Sequence, residues 1–235
     1  MNTAPLTRVT AVLTAALVLS ACGIVDEDDD FLDQGPRNMA KAAFAEMRQT
    51  TSLRILGTIE DESGRTRVDI SVGDTGCIAR FWADEGQLSL IKNTDGAWLQ
   101  ADARFWRSEA SSPREAEMLS PYSDSWITVR DENEFTGLCD LKSFVKNFTV
   151  TEKDTDDTIR VGDVEEVGGE DAVPLHGRGK KGRATVWVAV DAPHHVVKMV
   201  LRKGGKKQEL FLSHFGIGVD AEAPRKKDTV VIPGV

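Results

Sequence analysis

The residues of this chain best suited to chemistry are three cysteines and four histidines among 235 residues. His194 and His195 are adjacent, so on a strand they point to opposite faces and cannot chelate one metal together. His176 and His214 are isolated in sequence, and all four read as structural or surface side chains. Gly177-Arg-Gly-Lys-Lys-Gly182 has the spacing GxGxxG, but it leads into the strand-like run from Ala184 to Val190. A dinucleotide site needs a helix N-terminus there, so the match reads as a flexible basic turn. Lys206 and Lys207 sit in a second turn and, with Lys180, Lys181 and Arg183, make a basic edge. That edge reads as solvated, with anionic lipid headgroups as the alternative partner. The acidic run Asp26–Asp30 lacks the spacing and turn glycine of an EF-hand loop. No nucleophile elbow, HExxH, Walker or paired-cysteine zinc motif occurs. The expectation is a non-enzymatic chain with no catalytic residue, cofactor or metal.

Cys22 has a different context. Arg8 precedes a run of weakly polar to apolar residues from Val9 to Ala21. As a helix this run rises only about 20 Å, short of the roughly 30 Å hydrocarbon core of a bilayer. A positive start, a short apolar segment and small residues before a break make an export signal over residues 1–21. Leu19-Ser20-Ala21-Cys22 matches the lipobox of bacterial lipoproteins. That match implies Cys22 as the first mature residue, lipidated on its sulfur, and a chain anchored at the extracytoplasmic face of the cell membrane. Two or more acyl chains hold a protein stably where one does not. Residues 22–35 carry six acids, resist packing, and read as a lipidated tether. With Cys22 committed to lipid, Cys77 and Cys139 remain on the oxidising side of a membrane, where a structural disulfide is the expected state.

The elements that would position these residues are one helix and then mostly antiparallel sheet. Met39, Ala43 and Met47, widened by Ala40 and Phe44, predict a helix over residues 37–50 behind Pro36. Alternation predicts strands around Leu53–Ile59, Arg67–Val72, Cys77–Ala83, Leu88–Ile91 and Ala97–Gln100. The middle turns helical at Pro113–Leu119 and Glu134–Lys146, which would join Cys139 on a helix to Cys77 on a strand. Strands return at Thr158–Val161, Ala172–His176, Thr185–Val190, Val196–Arg202 and Gln208–Phe215. In the strands carrying Val186–Val190 and Val196–Leu201, apolar residues occupy both faces, so both faces should be covered. The tail over residues 221–235 reads as basic and loose.

Five tryptophans accompany a single tyrosine. Most are expected in the core, and Trp82, Trp98 and Trp187 are the candidates to line an apolar ligand cavity. Beyond Gly35 the chain holds 28 basic and 32 acidic residues, a net charge of -4 against -9 for the whole, so much of the acidity belongs to the tether. The acidic balance argues against nucleic acid as a partner.

The anchor Leu19–Cys22, the Met39–Met47 helix, the strand Ser52–Ile59 with its hairpin, and Val186–Pro193 followed by His194–Lys198 resemble the LolA/LolB-like lipoproteins, in particular the LppX/LprG group of actinobacteria. The resemblance implies an α+β fold over residues 36–220. Its core would be a strongly curved antiparallel sheet, a half-barrel, covered by helices around an apolar cavity. It also implies carriage of a lipid or other apolar ligand through the envelope. The alternative is a non-carrier lipoprotein that binds an envelope protein or senses a surface signal.

Overall fold

The computed structural model describes residues 31–62, 64–129, 136–147, 159–179 and 182–231. The export signal, Cys22 and the tether through Asp30 lie outside the described residues, as do Lys180 and Lys181. Helix α1 is Pro36–Gln49. Strands β1 (Ser52–Glu60), β2 (Arg65–Gly73), β3 (Cys77–Ala83), β4 (Gly86–Asn93) and β5 (Gly96–Ala101) follow as a meander. Helices α2 (Ala103–Glu109) and α3 (Pro113–Leu119) lead to β6 (Trp126–Val129), and α4 is Leu141–Asn147. The last third supplies β7 (Arg160–Val161), β8 (Glu165–Val167), β9 (Glu170–Gly179), β10 (Gly182–Ala189), β11 (Val196–Lys203), β12 (Lys206–Ser213) and β13 (Thr229–Val230).

All strands join one sheet, ordered β13-β6-β5-β4-β3-β2-β1-β12-β11-β10-β9-β7, with β8 paired to β9. The half-barrel expectation is corrected here. The sheet is mixed and open, neither closed nor strongly curled: it ends on the short strands β13 and β7, and β13 joins β6 in parallel. Strong curvature requires bulges and glycine kinks at intervals, and a single register shift, between Trp187 and Val188, interrupts the described ladders. The α+β class stands.

Alternation along the strands defines a helix-covered face and an open face. On the covered face Ile127, Leu99, Leu90, Ala79, Ile70, Ile55 and Leu212 align across seven strands, all buried. They share one core cluster with Met39, Ala40, Ala43 and Met47 of α1 and with Leu141 and Val145 of α4. The apolar stripe read from the sequence is therefore the face that α1 buries. The residues that flank α1 lie at one end of the sheet: Phe31, which stacks on His194 at the β10–β11 connection, and Ser52, where β1 begins.

Two boundaries differ from expectation. Phe31, inside the acidic segment, is fully buried, so the domain takes hold of the chain before Pro36. The segment from Ala221, expected to be loose, is built into the sheet. Asn93 Nδ2 donates to the Ala221 carbonyl at 2.7 Å, and Thr229 and Val230 pair with Trp126 and Ile127. Its basic residues Arg225, Lys226 and Lys227 gave the segment its polar signature, and two strand residues are too few for alternation to register.

Both faces of β10 and β11 are apolar, as expected. Val188, Val196 and Met199 belong to the main core, whereas Ala189 and Val197 join Val167 and Ala172 in a second cluster with Trp187 and Phe215.

Candidate functional site at the tip end of the covered face

The two ends of the sheet differ. At one, which we call the clamped end, the Cys77–Cys139 disulfide ties β3 to the turn preceding α4, with the two Cα atoms 5.6 Å apart. Asp140 caps α4, accepting from the Ser143 N–H at 3.0 Å and the Ser143 hydroxyl at 2.6 Å. These bonds hold its carboxyl below the usual aspartate range. A surface pocket of about 540 Å³ lies along the disulfide, with Asp74, Lys92, Asn93, Asp140 and Lys142 in its wall.

The opposite, tip end carries the hairpin turns β1–β2, β3–β4, β9–β10 and β11–β12. Burial on the covered face fades toward it. The row Leu88, Phe81, Val68, Gly57, Leu210, Met199 and Val186 is still mostly buried, but Phe81 and Val186 are only half-buried. The next row, Thr66, Ile59, Gln208, Leu201 and Ala184, is half-buried throughout. Ile59, Val186 and Leu201 thus form an apolar mouth, part in the core and part in reach of solvent.

Helix α2 stands at the same end of the sheet, against β4. Asp102 caps it, accepting from Arg104 N at 3.0 Å and Phe105 N at 2.8 Å. Gly86, at the β3–β4 tip with φ +135°, permits the approach, because a Cβ there would meet Phe105 N at 2.4 Å. Neither α2 nor α3 buries a residue fully, yet Phe105, Trp106 and Tyr122 pack half-buried on the main core. Phe105 and Trp106 meet edge to face with centroids 5.5 Å apart. Trp106 Nε1 and Ser123 Oγ are buried without a hydrogen-bond partner among the described residues, a costly state for an indole N–H.

The tryptophans singled out from sequence lie elsewhere. Trp82, Trp98 and Trp187 alternate with covered-face residues and occupy the open face, where they are not brought together. The Arg67 guanidinium lies 4.2 Å from the Trp82 ring centroid. Trp98 is flanked in register by Ile91 and Thr128. Trp187 donates its indole N–H to Glu165 and, with Phe211, flanks Lys198, whose Nζ lies 4.7 and 5.0 Å from the two rings. The aromatic residues of the main core cluster include instead Phe44, Phe81, Phe105, Trp106, Tyr122 and Phe144. For Phe81 and Trp82 strand parity could have made the distinction; for Phe105 and Trp106 the missed helix α2 hid it.

The histidines keep to structural roles. His194 stacks on Phe31 at 3.7 Å and His195 on Phe215 at 4.0 Å, each on a different partner as their adjacency requires. Burial pushes His195 below the ordinary histidine value, against the opposing fields of Glu46 and Glu170. His176 Nδ1 meets Thr185 Oγ1 at 3.0 Å, and His214 Nδ1 meets Ser213 Oγ at 2.9 Å. Among the described residues no His, Cys, Asp and Glu cluster could hold a metal ion. The GxGxxG run closes the β9–β10 hairpin, with Gly179 paired to Gly182.

No family model matches this chain, and no curated protein sequence matches it. Among solved structures it is similar to LprF from Mycobacterium bovis, with a TM-score of 0.52 and 11% identity, over 80% of this chain and 96% of that one. Lipoprotein LppX from Mycobacterium tuberculosis aligns with a TM-score of 0.49 and 14% identity, over 80% of this chain and 98% of that one. The likeness to LprF bears out, at the level of fold, the resemblance drawn from the sequence.

Proposed function

We propose that this chain is an extracytoplasmic lipoprotein, anchored to the cell membrane through Cys22, that receives a lipid or other apolar ligand at the tip end of its covered sheet face. The observation that carries the reading is the burial gradient, from a fully buried row at Leu90 to a half-buried row that holds Ile59 and Leu201. Exposing apolar side chains beside a core is unfavourable, and a bound acyl chain would remove them from water at about 0.8 kcal/mol per CH₂. The Cys77–Cys139 disulfide and the fold shared with LprF support an oxidising compartment and this architecture. No reaction is assigned.

Two measurements test the parts separately. Labelling cells with a fatty-acid analogue should mark the wild-type chain and leave Cys22→Ser unmarked and released from the membrane fraction. Native mass spectrometry of gently extracted protein should show a co-purified apolar mass. A bare protein mass, with no uptake of added lipid, would sink the ligand reading.

A second reading has one observation in its favour. Leu56 and Phe211, register partners on the open face, are 43% and 38% exposed, an apolar patch suited to an envelope protein. Crosslinking in intact cells that captures one reproducible protein, without lipid cargo, would favour it.

A further inference from the structure

Strands β9 to β12 place Arg178, Arg183, Arg202 and Lys207 in one cross-strand row, each directly opposite the next. Like charges so placed destabilise a sheet. Of the nearby carboxylates, Glu60 pairs with Arg65, Glu62 with Lys206, and Glu209 with Lys198 and with Lys207 of the row, which leaves the three arginines. Arg178, Arg183 and Arg202 are exposed and form no ion pair among the described residues. Among the described residues of the two hairpins, Arg178, Arg183, Arg202, Lys203, Lys206 and Lys207 are basic and residues 177–179, 182–183 and 202–207 include no acid, on a domain whose net charge beyond Gly35 is -4. The two hairpins are neighbours, so this cationic density falls on one rim of the tip end.

We infer that this rim is a docking surface for an anionic phospholipid bilayer. The guanidinium row lies on the open side of the rim, and Ala184, Leu201 and Ile59 lie on its covered side. Basic residues beside partly exposed apolar ones suit the headgroup boundary of a membrane, whereas a soluble polyanion would engage the charges alone. Docking sets the apolar mouth against the lipid. The geometry permits this for an anchored chain. Phe31 is nine residue steps beyond Cys22, a reach of about 30 Å. The eight-residue strands β10 to β12 are about 26 Å long. A tether attached at the clamped end can therefore let the tip return to the same leaflet.

The test uses the chain from Gly23 onward, which retains every described strand pair and core contact and has no acyl anchor. Its failure is thereby distinct from failure of the anchoring or ligand readings. Co-sedimentation should show binding to vesicles of phosphatidylcholine mixed with phosphatidylglycerol, none to phosphatidylcholine alone, and release by salt. Arg183→Gln and Arg202→Gln should each weaken binding roughly fivefold, and together about 25-fold. Because they relieve like-charge repulsion, they should leave Tm unchanged or raised, which a merely structural role would not produce. Lys41→Gln with Arg48→Gln, exposed charges on α1, should leave binding intact. Equal binding to neutral vesicles, equal loss in the α1 variant, or tight binding to heparin without vesicle binding would overturn the assignment.

Discussion

The clamped end and the tip end of this sheet are built from the same strands, yet the same alternation has different consequences at each. At the clamped end the covered face lies beneath α1 and α4, the disulfide closes a 62-residue loop, and Phe31 fixes the incoming chain. At the tip end the covered face holds Ile59, Val186 and Leu201 half-buried, and the open face sets cation against cation. Apolar exposure and like-charge pairing both oppose folding, so their coincidence at one end would, under the proposed function, separate stability from recognition within a single sheet. The end that holds the fold together can remain rigid while the other stays available to a ligand or a surface.

The largest expected effect lies at the clamped end. Cys77→Ala with Cys139→Ala removes a long-loop crosslink and should lower stability by about 4 kcal/mol in denaturant titrations. Leu90→Ala, in the fully buried row, should cost about 3 kcal/mol, whereas Leu201→Ala in the tip row should cost about 1 kcal/mol. Equal costs would erase the distinction between the ends. Two groups give the folded state acid sensitivity in separate windows. His195 has its folded value lowered by burial, so its contribution is complete above the ordinary 6.5 and declines as pH falls below it. Asp69 is lowered chiefly by the paired Arg54 hydrogen bonds, both 2.8 Å, and its contribution is complete above 3.8 and lost only at more acid pH. Thermal unfolding as a function of pH should show the first loss abolished in His195→Phe and the second in Asp69→Asn. The smallest stability change is expected for Trp106→Phe, which removes an indole N–H that has no partner among the described residues.

Much of this was legible in the sequence, for reasons that differ by element. The α1 stripe and the meander β1 to β5 follow from strong periodicity, and the disulfide followed from compartment chemistry. The elements β6, β8, β13 and α2 were not legible: two to four strand residues carry too little alternation to register, and α2 buries no residue fully and so shows no apolar stripe. The sheet's shape was not legible either: alternation specifies faces, whereas openness depends on which edges pair. The candidate site inherited that gap. Trp82 and Trp98 were chosen as large apolar residues, but Phe81 and Ala97 beside them hold the covered face. The basic edge was visible as residue types, while the alignment of Arg178, Arg183, Arg202 and Lys207 depends on register across three hairpins and strand pairs.

Uptake of an apolar ligand at the tip end of the covered face is the proposed function. Its most direct test is titration of the chain from Gly23 onward with a fluorescent long-chain acyl probe. We expect saturable binding that is abolished by Leu201→Arg in the mouth and unaffected by Ile78→Arg on the open face. Absence of binding, or binding indifferent to Leu201→Arg in a folded variant, would contradict the account.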